Sequence, residues 1–335
     1  MSTTPRIVSM ADVAKAAGVS SQTVSRVSNG SDAVRPETKA KVLTAMEELG
    51  YRPNFAARAL KRGKFNAIAV ILFDIGATGN LRTLQGITTV AAELGYVITL
   101  VMLDWNEKPT LAQALERVKT MPVDGAIVIL EHLVSDYHTF TPPQDMAITV
   151  ITTEPSDKYA TVDSDQAHIS STIMEYFFKN GHRHIHYVSG PADSVANTYR
   201  EQGYTAAMER KHLPIPPIIR GNWTAESGYD AGLRLAATPD CTAVYAANDN
   251  MAYGVIQGLR AAGKRVPEDI SVIGVDDSLQ DTVPRLDLTT MRLHFGQVGK
   301  AAVETTIDAI EHPNRPITHN TIQGTLIIRG SVQSI

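Results

Sequence analysis

Several features that would direct this chain to a membrane, to the cell exterior or to catalysis are missing from its sequence. Its 335 residues include a single cysteine, Cys241, which excludes an intramolecular disulfide and is typical of a reducing cytosol. No apolar run approaches the roughly 20 residues that span a bilayer, and the N-terminus has no apolar core of a signal peptide. The sequence contains no phosphate-binding P-loop, no Gly-x-Gly-x-x-Gly after a strand and no Gly-x-Ser-x-Gly elbow. We therefore expect a cytoplasmic protein that makes no membrane contact, needs no cofactor and has no catalytic residues.

What the sequence does contain is a globular composition whose charge differs between the two ends. Hydrophobic residues make up 43% and charged residues 20%, and the length suits two or three domains. Residues 1–64 hold 11 Lys/Arg against 5 Asp/Glu (+6), whereas residues 65–335 hold 20 against 30 (−10). A basic head on an acidic body is the electrostatic pattern of a nucleic-acid-binding protein with a separate second function.

The stretch around Gly18 predicts two short helices joined by a sharp turn. Helix-favouring residues 10–17 end at Gly18, which tolerates a left-handed backbone, and Ser20 is suited to cap a second helix over residues 21–27. Apolar residues of this stretch can pack together: Val13, Ala14, Ala17, Val19, Val24 and Val27. Polar or donor side chains then remain on the outer face of the second helix: Ser21, Gln22, Ser25 and Arg26. A helix-turn-helix presents such a face to the major groove of DNA, although an ordinary helical hairpin is the alternative.

This stretch resembles the DNA-binding head of the LacI/GalR repressor family almost residue for residue. The resemblance implies a DNA-binding domain over residues 1–53, and we also assign Asn29, in the turn cluster after the second helix, to DNA binding. A third helix is expected to begin at Pro36 and to stop at Gly50, with an apolar stripe that consists of Val42, Met46 and Leu49.

Two residues depart from the family pattern in the head. Ser28 stands where a branched apolar residue is usual, and Arg35 stands where a helix-capping serine is usual. We expect each departure to lower the stability of the head slightly without changing its role.

Residues 54–64 are predicted to form a hinge. Asn54 can cap a short helix that runs to Leu60 and is too short to be stable alone in water. In the family, paired hinge helices enter the minor groove of operator DNA. The resemblance therefore places an intercalating wedge at Leu60, with Ala57 against the groove floor. A plain linker is the alternative.

From Asn66 onward the pattern alternates between buried strands and helices. Strands are predicted at residues 67–73, 96–102, 125–130, 148–151, 184–189, 243–247, 270–274 and 325–328. Helices are predicted at residues 84–94, 111–121, 167–180, 194–211, 225–237 and 250–262. Two consecutive doubly wound parallel-sheet halves would place a ligand cleft between them, at the carboxyl ends of the strands.

This core resembles the periplasmic-binding-protein-like architecture of the LacI/GalR family. The resemblance implies an effector-binding and dimerisation core over residues 65–335. By the same comparison the first half covers about residues 65–162 and 292–321, and the second half about 163–291 and 322–335.

Candidate effector contacts lie at the ends of these strands. Asp74 follows the first strand, and Asp163 lies at the first crossing between the halves. The resemblance assigns further contacts by motif. Arg200 would clamp the effector, Asn248 would bind a hydroxyl, and Asp276 would bind vicinal hydroxyls. Trp223 would be the aromatic platform, and Phe295 would lie on the floor of the cleft. Polar groups for adjacent hydroxyls and an aromatic face together suit a carbohydrate ring. The adjacent Asp249 and Asp277 are expected to be structural, capping the segments that follow.

A metal site is the weaker interpretation of one further motif. His182-Arg-His-Ile-His186 would put His184 and His186 on one face of a strand, but no cysteine or carboxylate lies close by in sequence to complete a site. We therefore expect no bound metal.

Together these patterns predict a sequence-specific transcriptional repressor. Two heads of a homodimer would bind a pseudo-palindromic double-stranded operator, and a small-molecule effector, a sugar or glycoside inducer, would control affinity from the cleft. One alternative is a corepressor-type regulator that binds a purine or another metabolite. A second alternative, from a different class, is a sugar-binding protein that does not bind DNA; an enzyme is the least favoured. The effector, the sign of its effect and the operator sequence stay open.

Overall fold

Residues 8–28, 31, 33–51 and 63–335 are described by a computed structural model. The chain divides into two compact units, residues 1–65 and 66–335, which we call the head and the core. The predicted hinge helix and the predicted DNA contacts Asn29, Asn54, Ala57 and Leu60 lie outside the described residues. Within the described ranges, no helix combines the length and the apolar character needed to cross a membrane.

The described residues of the head form the helices α1 (Met10–Ala17), α2 (Ser21–Ser28) and α3 (Pro36–Glu48). A capping box begins α1, because the hydroxyl of Ser9 accepts from the Asp12 amide and the Asp12 carboxylate accepts from the Ser9 amide. Gly18, at φ 65°, ends α1 in the left-handed conformation. The hydroxyl of Ser20 accepts from the amide of Thr23 at 3.1 Å, which caps α2. The local turn and capping predictions are therefore confirmed.

The apolar residues of the three helices pack in one cluster, as predicted. Val13, Ala14, Val24 and Val27 are buried, with Ala17 and Val19 partly buried against them. From α3 the cluster takes Val42, Ala45 and Met46. The prediction that Leu49 belongs to this stripe is wrong, because α3 ends at Glu48 and Leu49 is 36% exposed.

The start of α3 carries a weak point that the sequence indicated. Arg35 has the backbone of an N-cap residue (φ −56°, ψ 140°), but its side chain makes no capping hydrogen bond. We expect Arg35→Ser to stabilise α3 by about 1 kcal/mol, because a serine hydroxyl can accept from the first amides of the helix. Hydrogen exchange of the α3 amides in the full chain, without DNA, should slow about fivefold. Arg35→Ala, which removes the charge without adding a cap, is the control, and equal protection in both variants would contradict the capping explanation.

The first lobe of the core is built on a six-stranded parallel sheet. Its strand order is β11-β5-β4-β3-β1-β2, with β1 (Ala67–Leu72), β2 (Val97–Met102), β3 (Gly125–Ile129), β4 (Ala147–Ile151), β5 (Ala160–Asp163) and β11 (His319–Thr321). Every residue of β1 and β3 is buried, which explains why these central strands read as continuous apolar runs. The lobe also contains the helices α4 (Thr78–Glu93), α5 (Leu111–Lys119) and α10 (Phe295–Glu311), the last of which packs on α4 and β4.

The second lobe repeats the architecture with one antiparallel edge. Its sheet has the order β12-β10-β9-β8-β6-β7, in which β12 is antiparallel to β10. The strands are β6 (Ile185–Ser189), β7 (Ile219–Arg220), β8 (Ala243–Ala246), β9 (Ser271–Asp276), β10 (Thr289–Arg292) and β12 (Thr325–Ile327). The helices are α6 (Gln166–Lys179), α7 (Val195–Arg210), α8 (Ala225–Ala236) and α9 (Asp249–Ala261).

The chain passes between the lobes after β5, after β10 and after β11. The fold class is therefore confirmed, namely a helix-turn-helix unit followed by an α/β core of two doubly wound sheets. Strands β5, β7, β10 and β11 and helix α10 were not among the predicted elements. These strands have two to four residues each, which is too short for a hydrophobic period. Helix α4 begins earlier than predicted, at Thr78, and Ala77 before it offers no side-chain cap that would mark a start.

Helices α8 and α9 approach each other closely, and this contact positions two site residues. A Cβ atom at Gly254 would lie 1.9 Å from the carbonyl oxygen of Ala225, and one at Gly228 would lie 2.2 Å from that of Met251. Only glycine permits this backbone contact. Because Trp223 lies two residues before α8 and Asn248 caps α9, the contact sets the spacing between their side chains.

Candidate functional site

A cavity of about 560 Å³ lies between the two lobes of the core, at the carboxyl ends of their strands. Its wall contains residues of both lobes. All of the predicted effector residues line it: Asp74, Asp163, Arg200, Trp223, Asn248, Asp276 and Phe295. The structure thus brings into one cavity predicted residues that are up to 221 positions apart in the sequence, from Asp74 to Phe295.

Arg200 and Asp276 form the charged centre of the cavity wall. Arg200 is 5% exposed; its Nε donates to Gln166 Oε1 at 2.7 Å, and its Nη1 donates to the carbonyl oxygen of Ala247. Its Nη2 lies 3.9 Å from Asp276 Oδ1, a loose ion pair that leaves room for a ligand. Burial raises the pKa of Asp276 to about 6, although Arg200 and Arg82 act in the opposite direction. A hydrogen-bond donor of a ligand would therefore stabilise the ionised form of this carboxyl.

Trp223 and Asn248 stand beside this pair. The guanidinium of Arg200 lies 5.9 Å from the centre of the Trp223 ring, and the ring rests against Gly190, where a Cβ atom would come within 2.3 Å of it. Asn248 caps α9, because its Oδ1 accepts from the amide of Met251 at 2.9 Å. Its Nδ2 donates to the carbonyl oxygen of Trp223 at 3.0 Å. Asn248 therefore has one amide hydrogen left for a ligand and also holds the Trp223 loop.

The first lobe contributes carboxylates and an aromatic ring. Thr153 donates to Asp163 at 2.9 Å, and burial raises the pKa of Asp163 despite this bond. Asp74 is exposed, and its Oδ1 accepts from the amide of Gly76 at 2.7 Å. Phe295 begins α10 and packs over Gly79, where a Cβ atom would lie 3.0 Å from its ring.

Asp249 and Asp277 hold the framework around the site. Asp249 accepts from the Ser278 amide and from the Thr290 hydroxyl; it bonds these distant residues, whereas its own helix is capped by Asn248. Asp277 accepts from Arg292 and Arg329, at 2.7 Å each. Burial by itself would raise the pKa of Asp277, but these two arginines hold it below its usual range.

The head presents the predicted DNA-reading face of α2. Ser21, Gln22 and Arg26 are exposed and Ser25 is half-buried, while Val24 and Val27 point into the cluster under the helix. The burial of the two valines determines which side chains face outward.

Comparisons with known proteins agree with both units. Residues 9–54 match the family model described as bacterial regulatory proteins, lacI family, and residues 174–332 match the periplasmic binding protein-like domain. Catabolite control protein A of Priestia megaterium is 32% identical over 325 residues, with 91% of this chain and 97% of that protein covered. The chain belongs to the LacI family of bacterial regulatory proteins.

Solved structures of LacI-family proteins share its fold over almost the whole length. The lac repressor dimer bound to operator and the anti-inducer ONPF matches with a TM-score of 0.84 at 25% identity, covering 98% of this chain and 100% of that one. The complex of the transcriptional regulator CelR with cellobiose matches with a TM-score of 0.69 at 27% identity, covering 97% and 99%. As a LacI-family protein, this chain is a DNA-binding transcriptional repressor.

The core of this LacI-family chain also contains cavity residues that the sequence analysis missed. Glu131 and His132 follow β3 as Asp74 follows β1, so the strand-end rule would have found them. Trp105 stacks on His132 with ring centres 4.4 Å apart, and both rings line the cavity. No sequence motif marks Trp105.

Hydrogen bonds cross between the two lobes at the rim of the cavity. The Val195 amide donates to the Glu131 carbonyl oxygen at 3.0 Å, and His132 Nδ1 lies 3.1 Å from the Asp193 carbonyl oxygen. On another side, Arg82 donates to the carbonyl oxygens of Asp277 and Ser278, at 3.3 Å each. These bonds hold the lobes in one relative orientation, and a change in that orientation would have to break them.

The histidine motif near β6 has a structural role at its first residue. His182 is buried, and its ring nitrogens lie 3.1 Å from the Thr242 hydroxyl and 3.1 Å from the Gln333 carbonyl oxygen. Among the described residues, no group of three or more His, Cys, Asp or Glu side chains could hold a metal ion.

Proposed function

We propose that this repressor acts in the cytoplasm as a homodimer on a pseudo-palindromic operator, and that a sugar or glycoside inducer bound between the lobes lowers its operator affinity. The observation that carries the proposal is the cavity of about 560 Å³, where Trp223, Arg200 and Asp276 converge. Its size lies within the range of small-molecule sites. A flat aromatic face beside a bidentate cation and a buried carboxylate suits the C–H face and the hydroxyls of a sugar ring.

The dimer is supported by an apolar surface on the first lobe. Strand β2 is the edge of its sheet, and exposed apolar side chains lie on it and on the adjoining end of α4: Leu94, Val97, Leu100 and Met102, each between 41% and 57% exposed. An uncovered edge with this composition favours association with a second chain. The lac repressor structure, which this chain resembles over 98% of its length, is described as a dimer bound to operator.

The route from cleft to head runs through the contacts between the lobes. A ligand that binds both Asp276 of the second lobe and Asp74 of the first favours one spacing of the lobes over others. The interlobe bonds of Arg82 and of the Glu131–Val195 pair would then be kept or broken according to that spacing. The first sheet begins directly after the hinge segment in the chain, so the orientation of its lobe relative to the second is expected to bear on how the hinge meets DNA.

The experiment that tests the proposal is a thermal-shift screen of neutral sugars, glycosides, nucleobases and nucleosides with the full-length protein. A ligand at 100 times its Kd stabilises the fold by about 2.7 kcal/mol. Each hit is then added to the protein bound to a fluorescent operator selected from random duplexes. Release of DNA by a sugar supports the proposal, and tighter binding caused by a nucleobase supports the corepressor alternative.

The packing of Trp223 on Gly190 supplies a smaller test of the aromatic platform. We expect Gly190→Ala to lower the affinity for the hit by about 0.5–1.5 kcal/mol, because the added methyl group must displace the indole ring. Isothermal titration calorimetry measures this change. Gly296→Ala is the matched control, since a Cβ atom there meets nothing within 4 Å. Equal affinities of the two variants would show that the ligand does not rest on Trp223.

A further inference from the structure

The ionisable groups on the cavity wall are mostly acidic. Its described lining includes the carboxylates of Asp74, Glu131, Asp163, Asp193 and Asp276. Against them stand one guanidinium, that of Arg200, and one imidazole, that of His132. Two of the donors of Arg200 already bind Gln166 and Ala247. A ligand that carries a phosphate or a carboxylate would therefore meet repulsion from most sides.

Two of these carboxylates share one corner of the first lobe. Glu131 follows β3, Asp74 follows the adjacent strand β1, and Asn80 lies between them, donating to the Asp74 carbonyl oxygen at 2.5 Å. Burial raises the pKa of the Glu131 carboxyl, the negative charge of Asp74 adds to this shift, and a hydrogen bond from Asn80 acts against both; together they put the pKa at about 7. Among the described residues that line the cavity, no lysine or arginine belongs to this lobe. A cation in this corner would be stabilised by two carboxylates that otherwise repel each other.

Asp276, in the part of the cavity wall that the second lobe forms, gives an independent indication that the ligand carries hydrogen-bond donors. Asp276 is 9% exposed and lines the cavity, yet among the described residues its carboxylate accepts no hydrogen bond at normal distance. Its nearest cation, Arg200, is 3.9 Å away. A buried carboxylate without a hydrogen bond is costly, so a hydroxyl or amine of a ligand would satisfy it.

We propose that the effector is an amino sugar, whose protonated amine lies between Asp74 and Glu131 while its ring hydroxyls face Asp276, Arg200 and Asn248. This inference rests on the sugar-binding function proposed above and narrows it to a cationic ligand. The cleft thereby selects against uronates and sugar phosphates by charge, and it distinguishes an amine from a hydroxyl by its two carboxylates.

Binding of an amine has a consequence that binding of a neutral sugar does not have. A cation beside Glu131 favours the ionised carboxylate, so a proton leaves the protein as the ligand binds. Because burial and the charge of Asp74 raise the pKa of the unliganded Glu131 to about 7, a fraction of a proton is released at pH 7. Calorimetry in buffers of different ionisation enthalpy counts this proton. A neutral sugar brings no positive charge to the corner and should release fewer protons.

The test compares D-glucosamine with D-glucose and D-galactosamine with D-galactose, by calorimetry at pH 7 on the full-length protein. We expect one of the two amino sugars to bind about 10- to 150-fold more tightly than the sugar that has a hydroxyl in place of its amine. This factor corresponds to the free energy of a hydrogen bond to a charged group. Glu131→Gln should abolish both the preference for the amine and the proton release. Asp74→Asn, a second variant on a more exposed side chain, should reduce the preference as well. Glu116→Gln is the control, since it makes the same charge change on the first lobe outside the cavity lining.

Four results would overturn the inference, and they bear differently on the proposed function. A neutral sugar that binds as tightly as its amine removes the amine site but leaves a sugar-responsive repressor. The same holds if the preference survives in both the Glu131 and the Asp74 variants, or if D-glucuronate binds more tightly than D-glucosamine. If no sugar of the panel binds, both the inference and the proposed sugar effector fail together.

Discussion

Asp276→Asn should abolish the effector's control of operator binding and leave operator affinity without effector unchanged. The coupling between two such sites typically amounts to about 1–3 kcal/mol, so a change of about 5- to 150-fold in operator affinity would disappear. The reason is that the Asp276 carboxylate faces the cavity and, among the described residues, forms only the loose ion pair with Arg200 in the same site, so the substitution changes the ligand site and nothing at the DNA. Fluorescence anisotropy with labelled operator, titrated with and without the effector, measures both affinities.

The structure also determines which substitution is informative here. Asp276 has φ 110°, a conformation that strains an alanine more than an asparagine. Asp276→Asn therefore removes the charge with little effect on the backbone. Asp240→Asn, which changes the same charge on an exposed residue of the same lobe, is the control. If Asp276→Asn still released operator at the concentration of effector that works on the wild type, the effector site would lie elsewhere.

Gln22→Ala and Arg26→Ala should each weaken operator binding by about 1–3 kcal/mol and relax specificity at one position of each half-site. Both side chains are exposed on the face of α2 opposite the buried Val24 and Val27, where a recognition helix presents its residues to base edges. Binding of each variant to the selected operator and to its single-base substitutions measures the loss at every position.

A phosphate-contacting residue should behave differently. Lys41, exposed on α3, carries a positive charge of the kind that holds DNA without reading it. Lys41→Ala should weaken binding to all sequences alike and lower the salt dependence of the logarithm of affinity by about one unit. If the Gln22 and Arg26 variants gave that same uniform loss, the assignment of α2 to base reading would be wrong.

Much of the structure of the head could be predicted from the sequence, because it depends on the properties of single residues. The left-handed backbone of Gly18 ends α1, and the hydroxyl of Ser20 caps the start of α2. Both are properties of the residue itself, so the end of α1 and the start of α2 follow from the sequence. The burial of Leu49 was predicted wrongly, because Leu49 lies after the end of α3. Whether such a residue reaches the core depends on the path of the chain and not on the helical period.

In the core, the buried central strands could also be predicted from the sequence. Strands β1, β3 and β9 are covered on both faces, so their apolar runs stand out from the polar segments around them. The edge strands β7 and β11, with two and three residues, gain their structure from pairing with distant partners, and nothing in their own residues predicts it.

The sequence by itself therefore determined the kind of molecule. It indicated a basic helix-turn-helix head, an acidic core of two parallel-sheet halves, and the residues at the strand ends from which a site could be made. Only the tertiary structure decided how those residues are used. It showed that Asn248 bonds α9 and the Trp223 loop, that Asp277 is held by Arg292 and Arg329, and that Glu131 lies half-buried in the cavity wall near Asp74. The physical reason is that burial, charge neighbours and hydrogen-bond partners come from residues tens to hundreds of positions apart, and only folding brings them together.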